Sequence, residues 1–494
     1  MTAPCATLGR VMSGEAPALH AEDLVAATGG TLLRHSERPI RGGAVDSRLV
    51  EPGTMFVALA GERTDGHRYL VDVAARGAAA VIVGRVPDPD AGEPPLDALG
   101  DLSVLLVPDP LSALHAIAAA WRRRFDPLVI GITGSIAKTS TKEAVAGVLE
   151  RRLVTLRTEG NQNNEVGLPL TVLRLGPEHA AAVLEMGMYV GGEIRELAAI
   201  GLPEIGIVTA IQPVHQSRIG SLAAIVDAKA ELLEALPPAA DGGLAILNAD
   251  DERVRGMAAR TKARTTTYGF ADDADVRAVS VDSLGLDGMR FRLLTPAGER
   301  AVAIPALGRL AVHNALAAAA AGLAAGLSLD DVVPGLSAPS RAAHRSIVIR
   351  AGGVVFVDDS YNAAPGSMLA ALELLAGLPA DRRIAVLGEM RELGDAHDAA
   401  HLEIGAAAGR MLDALIVVDG ESGGRARGIV DGALAAGMPS GSVIAVEDAA
   451  DAIPAAHAIV RPGDAVLVKA SRGIELERVV DGLVAALGGA EPAP

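Results

Sequence analysis

The stretch GITGSIAKTSTKE, Gly131–Glu143, is where the reading of this chain begins. A phosphate-binding loop is ordinarily written G-x-x-x-x-G-K-[ST], with its last glycine directly before the lysine. Here Lys138 and Thr139 are in place, but Ala137 stands where that glycine belongs, and the residue five before it is Ile132. The flanks suit the motif: LVIGITG (128–134) has the composition of a strand, and KTSTKEAVAGVLERR (138–152) that of a helix. The backbone N–H groups and dipole at such a helix start favour an anion. Lys138 would neutralise phosphate charge, and Thr139 or Ser140 would offer a hydroxyl to Mg²⁺. The alternative is an ordinary strand-to-helix turn. If Ala137 has to adopt a left-handed backbone, the cost is about 1–2 kcal/mol.

Outward from the loop, strand-like and helical runs alternate. RRLVTLRT, AAAVLEMG, EIGIVTAI and LAILNADD follow LVIGITG, a pattern of βαβ units and a parallel sheet. Residues 274–308 differ: VRAVSV, MRFRLLT and RAVAIPA are joined by glycine-bearing turns, which predicts a small antiparallel sheet closing this region, followed by a helix over 311–326. From about 340 a second alternating series (GVVFVDDS, RRIAVLGEM, DALIVVDG, SVIAVED, DAVLVKAS) predicts a doubly wound domain of ordinary size. Before 125, short apolar runs such as TMFVALAG and AAAVIVG lie between Pro- and Gly-rich connections. The expectation is an α/β protein of three domains, 1–125, 126–338 and 339–494.

Several polar residues fall at predicted strand ends, where ligands bind in open α/β sheets. Glu185 ends AAAVLEMG, and His215 follows EIGIVTAI after a proline-bearing turn. A carboxylate suits Mg²⁺, although a glutamate can also cap a helix and a lone histidine can be a satisfied surface group. Lys229 lies on the apolar stripe of SLAAIVDAKAELLEAL, four residues after Ile225. It either snorkels to solvent or has a buried anionic partner. The loop TEGNQNNEVGLPL gathers Asn161, Gln162, Asn163, Asn164 and Glu165, which need partners if buried; a solvated loop or a substrate site accounts for them. VVFVDDSYNAAPGSM puts Asp358 and Asp359 at a strand end, with turn or N-cap roles as the alternative. VLVKASRGIELERVV sets Lys469 and Arg472 before a helix, where acids rather than cations would balance the dipole, so an anionic ligand is suggested.

Composition narrows the class. The 494-residue chain carries a net charge of −17 and only 2% aromatics, neither of which suits a nucleic-acid binder. One cysteine, Cys5, excludes a disulfide framework and a cysteine metal site. The longest near-apolar run, 315–327, is too short for a membrane span, and no basic-then-apolar leader opens the sequence, so a cytoplasmic protein is expected.

In this order the pieces resemble the Mur ligase family over nearly the whole chain. DSRLVEPGTMFVALAGERTDGHRYL (46–70) resembles the family's uridine-nucleotide-binding domain; GNQNNEVGLPLTVLRL, DDSYNAAPGSM and LGEMRELG are similar to the motifs of the member that adds D-alanyl-D-alanine. The resemblance implies a uridine-nucleotide-binding N-terminal domain, a central phosphate-loop ATPase domain and a Rossmann-like C-terminal domain. It implies amide formation between UDP-N-acetylmuramoyl-tripeptide and D-Ala-D-Ala through an acyl phosphate, with ATP and Mg²⁺, in peptidoglycan precursor synthesis. It further implies a monomer that binds no nucleic acid and enters no membrane.

Carried over by position, Lys138, Glu185, His215 and Lys229 are catalytic. The resemblance implies that Thr139, Glu185, His215 and Lys229 as a carbamate would hold metal. It implies that Gly134, Ser135, Ala137, Lys138, Thr139, Ser140, Asn314, Arg345 and Asp359 would bind ATP. Ser47, Arg48, Asn161, Asn163, Asn164, Glu165, Tyr361, Asn362, Lys469, Ser471 and Arg472 would bind substrate. The chain departs from the family pattern at Ala137, at Gln212 and Ala470 where glycine is usual, and at Leu310 where histidine is common; Arg341 or Arg345 stands in for a Gly-Arg pair. A weakened or non-catalytic relative, or a sibling ligase with another amino-acid substrate, is the alternative these departures raise.

Overall fold

The computed structural model describes residues 17–61, 64–89, 93–212, 219–339, 343–419 and 424–491. They form two compact units, 1–125 with 172–178, and 126–171 with 179–494. In the first unit a five-stranded sheet runs Thr31–Arg34, Ser103–Leu106, Ala80–Val83, Met55–Val57, Gly43–Ala44; its first pair is antiparallel and the rest parallel. The central strand Ala80–Val83 is buried throughout, as parallel strands covered on both faces are. The helix Pro110–Arg122 starts at Asp109, whose carboxylate accepts from the Leu111 and Ser112 amides, with Pro110 in the first turn.

The second unit holds two sheets. The larger has nine strands in the order Gly298–Ile304, Met289–Thr295, Val276–Ser283, Arg264–Gly269, Leu244–Asn248, Ile205–Val208, Leu128–Thr133, Ala181–Glu185, Thr155–Arg157. As expected, the strands at 276–304 are antiparallel to one another and close this region. Val276 and Arg277 pair in parallel with Tyr268 and Gly269, so the hairpins extend the parallel sheet edge. Two residue pairs suffice for the join, too short a signal to read in the sequence.

The helix Gly308–Ala324 lies against the loop helix Lys138–Leu149, and both enter one apolar core. Small residues allow the close approach: a Cβ at Gly322 would stand 2.5 Å from Val148 Cγ1, and one at Gly335, on the next helix Leu329–Leu336, 2.6 Å from Val148 Cα. The second sheet has six strands in the order Ile347–Ala351, Val354–Asp358, Ala465–Lys469, Arg383–Gly388, Ala414–Val418, Val443–Val446; all pairs but the first are parallel. Apolar clusters cover both its faces, the doubly wound arrangement. Asp358 and Lys469 end adjacent strands of this sheet, which sets the next residues of each chain segment at its carboxyl edge.

Candidate active site

The loop after Leu128–Thr133 is built on close contacts. Gly134 adopts φ +150°, and a Cβ there would lie 1.9 Å from Thr209 Oγ1, so no side chain fits. Ser135 Oγ donates to the Gln212 carbonyl at 3.0 Å and accepts from the Gln212 amide at 2.9 Å. Ala137 has φ 65°, ψ 0°, the left-handed conformation that glycine would adopt without penalty, and it stands at the helix N-terminus. Lys138 folds back over the loop, its Nζ 2.8 Å from the Gly134 carbonyl and 3.4 Å from that of Ser135. Desolvation pushes its pKa down, Glu185 acts against the shift, and Arg345 adds to it.

Glu185 ends its strand almost fully buried, at 1% exposure. Its Oε1 accepts from Thr139 Oγ1 at 3.1 Å and from Asn163 Nδ2 at 2.7 Å. Its Oε2 is buried with no hydrogen-bond partner. Thr139 Oγ1 also accepts from Arg345 at 3.1 Å, and the Arg345 guanidinium lies 4.3 Å from the centre of the Tyr361 ring. Lys229, on the helix Leu222–Glu234, is 2% exposed, so it does not snorkel. Burial, then the neighbouring positive charge of Lys138, holds its amine well below the usual lysine range; Glu231 opposes this weakly.

On the six-stranded side, Asp359 accepts from Lys469 Nζ at 2.5 Å and from the Ser346 amide at 3.1 Å. Lys469 also donates to the Asn362 carbonyl at 2.9 Å. Ser471 Oγ accepts from the Arg391 amide, and Arg472 pairs with Glu477 at 2.7 Å. Asn314 accepts from Thr141 Oγ1 at 3.0 Å, tying its helix to the loop helix. Asn164 is used locally, its side chain accepting from the Gly167 amide at 2.9 Å at the start of the helix that follows.

One cavity of about 990 Å³ gathers these groups. Ser135, Ala137, Lys138, Thr139, Ser140, Glu185, Lys229, Asn314, Arg345 and Asp359 line it, as do Asn161, Asn163, Asn164, Glu165, Tyr361, Asn362, Lys469, Ser471 and Arg472. Gly134, at the base of the loop, does not itself line it. Ser47 and Arg48 belong to the first unit, in the short helix Ser47–Leu49; Arg48 hydrogen-bonds Asp46 and holds that carboxyl at about 2. His215 and Arg341 lie outside the described residues; Arg345 lines the cavity. Among the residues not singled out from sequence, Arg391 lines the cavity and Lys142 is fully buried on the loop helix. Lys142 is four residues after Lys138 and so shares its helix face, a spacing that could have flagged it.

The departures from the family pattern are held differently: Ala137 sits in the left-handed region and Gln212 Oε1 is buried with no hydrogen-bond partner among the described residues. Ala470 is buried, and its methyl fills the space beside Gly388, where a Cβ would meet it at 2.8 Å. Gln212 reaches Gly366, where a Cβ would lie 2.2 Å from its Nε2. Leu310 lines the cavity. The site also suits Mg²⁺, which takes one or two carboxylates, keeps waters and is completed by substrate phosphates: Glu185 Oε2 is an unused buried oxygen beside the Thr139 hydroxyl. Among the described residues no group of three His, Cys, Asp or Glu forms a metal cage.

The loop, the buried carboxylate and the facing doubly wound sheet define a phosphate-loop ligase site, and comparison with known proteins gives the family. The Mur ligase family, catalytic domain, matches residues 39–122; the Mur ligase middle domain matches 132–322; and the Mur ligase, glutamate ligase domain, matches 344–472. The chain belongs to the Mur ligase family. A Synechocystis protein named UDP-N-acetylmuramoyl-tripeptide–D-alanyl-D-alanine ligase is 36% identical over 447 residues, 89% of this chain and 91% of its own. A crystal structure of MurF from Acinetobacter baumannii matches with TM-score 0.83 and 31% identity, covering 95% of this chain and 99% of that one. MurF ligase from Thermotoga maritima in complex with ADP matches with TM-score 0.78 and 26% identity, over 90% and 98%.

Proposed function

We propose that this chain is the ATP-dependent ligase that joins D-alanyl-D-alanine to UDP-N-acetylmuramoyl-tripeptide. The observation that carries the reading is Glu185, whose one carboxylate oxygen is shared between Thr139 of the phosphate loop and Asn163 of the amide loop while the other stays free. In this reading phosphate chemistry and peptide binding meet at a single buried group.

In this reading an oxygen of the tripeptide's terminal carboxylate attacks the γ-phosphorus of ATP, ADP leaves, and an acyl phosphate forms. The D-Ala-D-Ala amine, having lost its ammonium proton, attacks that carbonyl; the tetrahedral adduct gives a second nitrogen proton to solvent, expels phosphate and leaves the amide. Lys138 exchanges its loop carbonyls for phosphate oxygens. Arg345, held over Tyr361, adds positive charge beside Thr139. Asp359, oriented by Lys469 and the Ser346 amide, is the ribose-side acceptor, and Asn314 is the adenine-side group. Positioning and charge neutralisation supply the catalysis. Mg²⁺ would be held by Thr139 and Glu185 Oε2 and would neutralise phosphate charge. The lowered pKa of Lys229 favours the neutral amine, the form that adds CO₂ to give a carbamate and a proton, which would supply a further metal-side anion.

Ser47 and Arg48 of the first unit would serve the UDP end. Three domains, 1–125, 126–338 and 339–494, a monomeric state and a cytoplasmic site complete the proposal. Among the described residues no helix is long and apolar enough to cross a membrane. The test is phosphate release from ATP with UDP-tripeptide and D-Ala-D-Ala supplied together and singly. Release only when both are present supports the reading; nucleotide or UDP-peptide binding without turnover overturns it.

A further inference from the structure

Lys142 has no part in the reaction just described, yet its side chain is completely buried one turn along the helix from Lys138. A lysine ammonium has three N–H donors, and three acceptors surround this one: the Thr158 carbonyl at 2.6 Å, Glu143 Oε1 at 3.1 Å and the Gly160 carbonyl at 3.4 Å. Glu185 Oε2 lies 3.9 Å away, beyond hydrogen-bond reach. The cation therefore offsets the charge of Glu185 without occupying the oxygen left free for a ligand. An ammonium taken out of water is costly unless it is fully paired and hydrogen-bonded, as it is here.

Both carbonyls belong to the root of the amide loop. Thr158 is itself buried, and its Oγ1 accepts from the Glu185 amide at 3.0 Å. Further along, Asn163 returns to Glu185 through its side chain, and its carbonyl accepts from the Gly187 amide at 2.7 Å. A Cβ at Gly187 would stand 2.9 Å from Asn163 Oδ1, so this contact leaves little room for slip. The connections close a ring: the loop helix through Lys142 to Thr158 and Gly160, along the amide loop to Asn163, across to Glu185, and back to the helix through Thr139.

We propose that Lys142 is a positioning residue that locks the root of the amide loop to the phosphate-loop helix and so fixes the peptide-binding geometry. The identity of the peptide rests on the ligase reading above; the mechanical role of Lys142 does not. The test uses the full chain with Lys142→Met and, more gently, Lys142→Gln. Three quantities are read: ADP affinity without metal, UDP-tripeptide affinity without nucleotide or metal, and amide hydrogen exchange over residues 158–166. The expected result is ADP affinity within about twofold of the parent, UDP-tripeptide binding weakened by about tenfold or more, and faster exchange at 158–166 with the helix 138–149 unchanged; geometric displacements of this kind cost up to about 10²-fold. Unchanged peptide affinity and exchange would overturn the proposal. So would equal losses for both ligands, which a merely structural lysine would give, or failure of both variants to fold. If the parent chain itself does not bind UDP-tripeptide, the ligase reading fails, and the exchange result alone still decides the role of Lys142.

Discussion

Replacing Ala137 by glycine tests whether the loop works under strain. The structure puts Ala137 at φ 65°, ψ 0° at the helix N-terminus. A non-glycine residue there costs about 1–2 kcal/mol relative to glycine. Glycine also frees the unfolded chain, which returns about 0.4–1 kcal/mol to the unfolded state. The balance is a gain of about 0.5–1 kcal/mol in the stability of the second unit, a rise of about 1–3 °C in its Tm. Ala137 also lines the cavity, so removing its methyl lets the backbone approach the phosphates more closely. If that relieves about 1.4 kcal/mol in the bound state, kcat/KM for ATP rises about tenfold. Thermal melts and ATP kinetics of Ala137→Gly and its parent measure both terms. A lower Tm together with an unchanged or lower kcat/KM would refute the reasoning, because it would mean that the loop has adjusted to alanine.

Lys138→Ala should abolish ATP hydrolysis without loss of secondary structure by circular dichroism; residual turnover above about 1% of the parent would remove Lys138 from the phosphate site. Lys229→Met should abolish turnover yet raise the Tm of the ligand-free protein in carbonate-free buffer, because it removes a desolvated amine. The parent's own pH dependence follows the same logic: its folded-state pKa is depressed, so the unfolded state binds the extra proton between that lowered value and about 10.4. Stability should therefore rise with pH through that window, and Lys229→Met should flatten the slope; an unchanged slope would count against a buried neutral amine. Limited proteolysis should cut near 125 and near 340, and a resistant core running through either position, read by mass spectrometry, would contradict the three-domain proposal.

The strand–loop–helix at 128–149 was legible because an apolar run, a glycine-bearing turn and the Lys138–Thr139 pair lead straight into a helical stretch, although the motif's last glycine is replaced by Ala137. Asp359 and Lys469 were legible for a second reason: strand ends in one parallel sheet share an edge, so their meeting follows from topology, and Glu185 stands at a strand end of the other sheet. Side-chain burial was much less visible. Periodicity allowed Lys229 to snorkel, and only packing of its helix shows it at 2% exposure. Lys142 was missed because KTSTKE looks like a solvated helix start, whereas the Thr158 and Gly160 carbonyls that satisfy it come from a distant loop. The antiparallel hairpins at 276–304 were legible, but their join to the larger sheet was not, because the two residue pairs that make it leave no pattern.

The most direct test of the central claim follows oxygen through the reaction. UDP-tripeptide carrying oxygen-18 in its terminal carboxylate is turned over with ATP and D-Ala-D-Ala, and the released phosphate is weighed by mass spectrometry. An acyl phosphate formed at this site predicts phosphate bearing one oxygen-18 atom from the peptide. Unlabelled phosphate, released by water attack on ATP, would contradict the account.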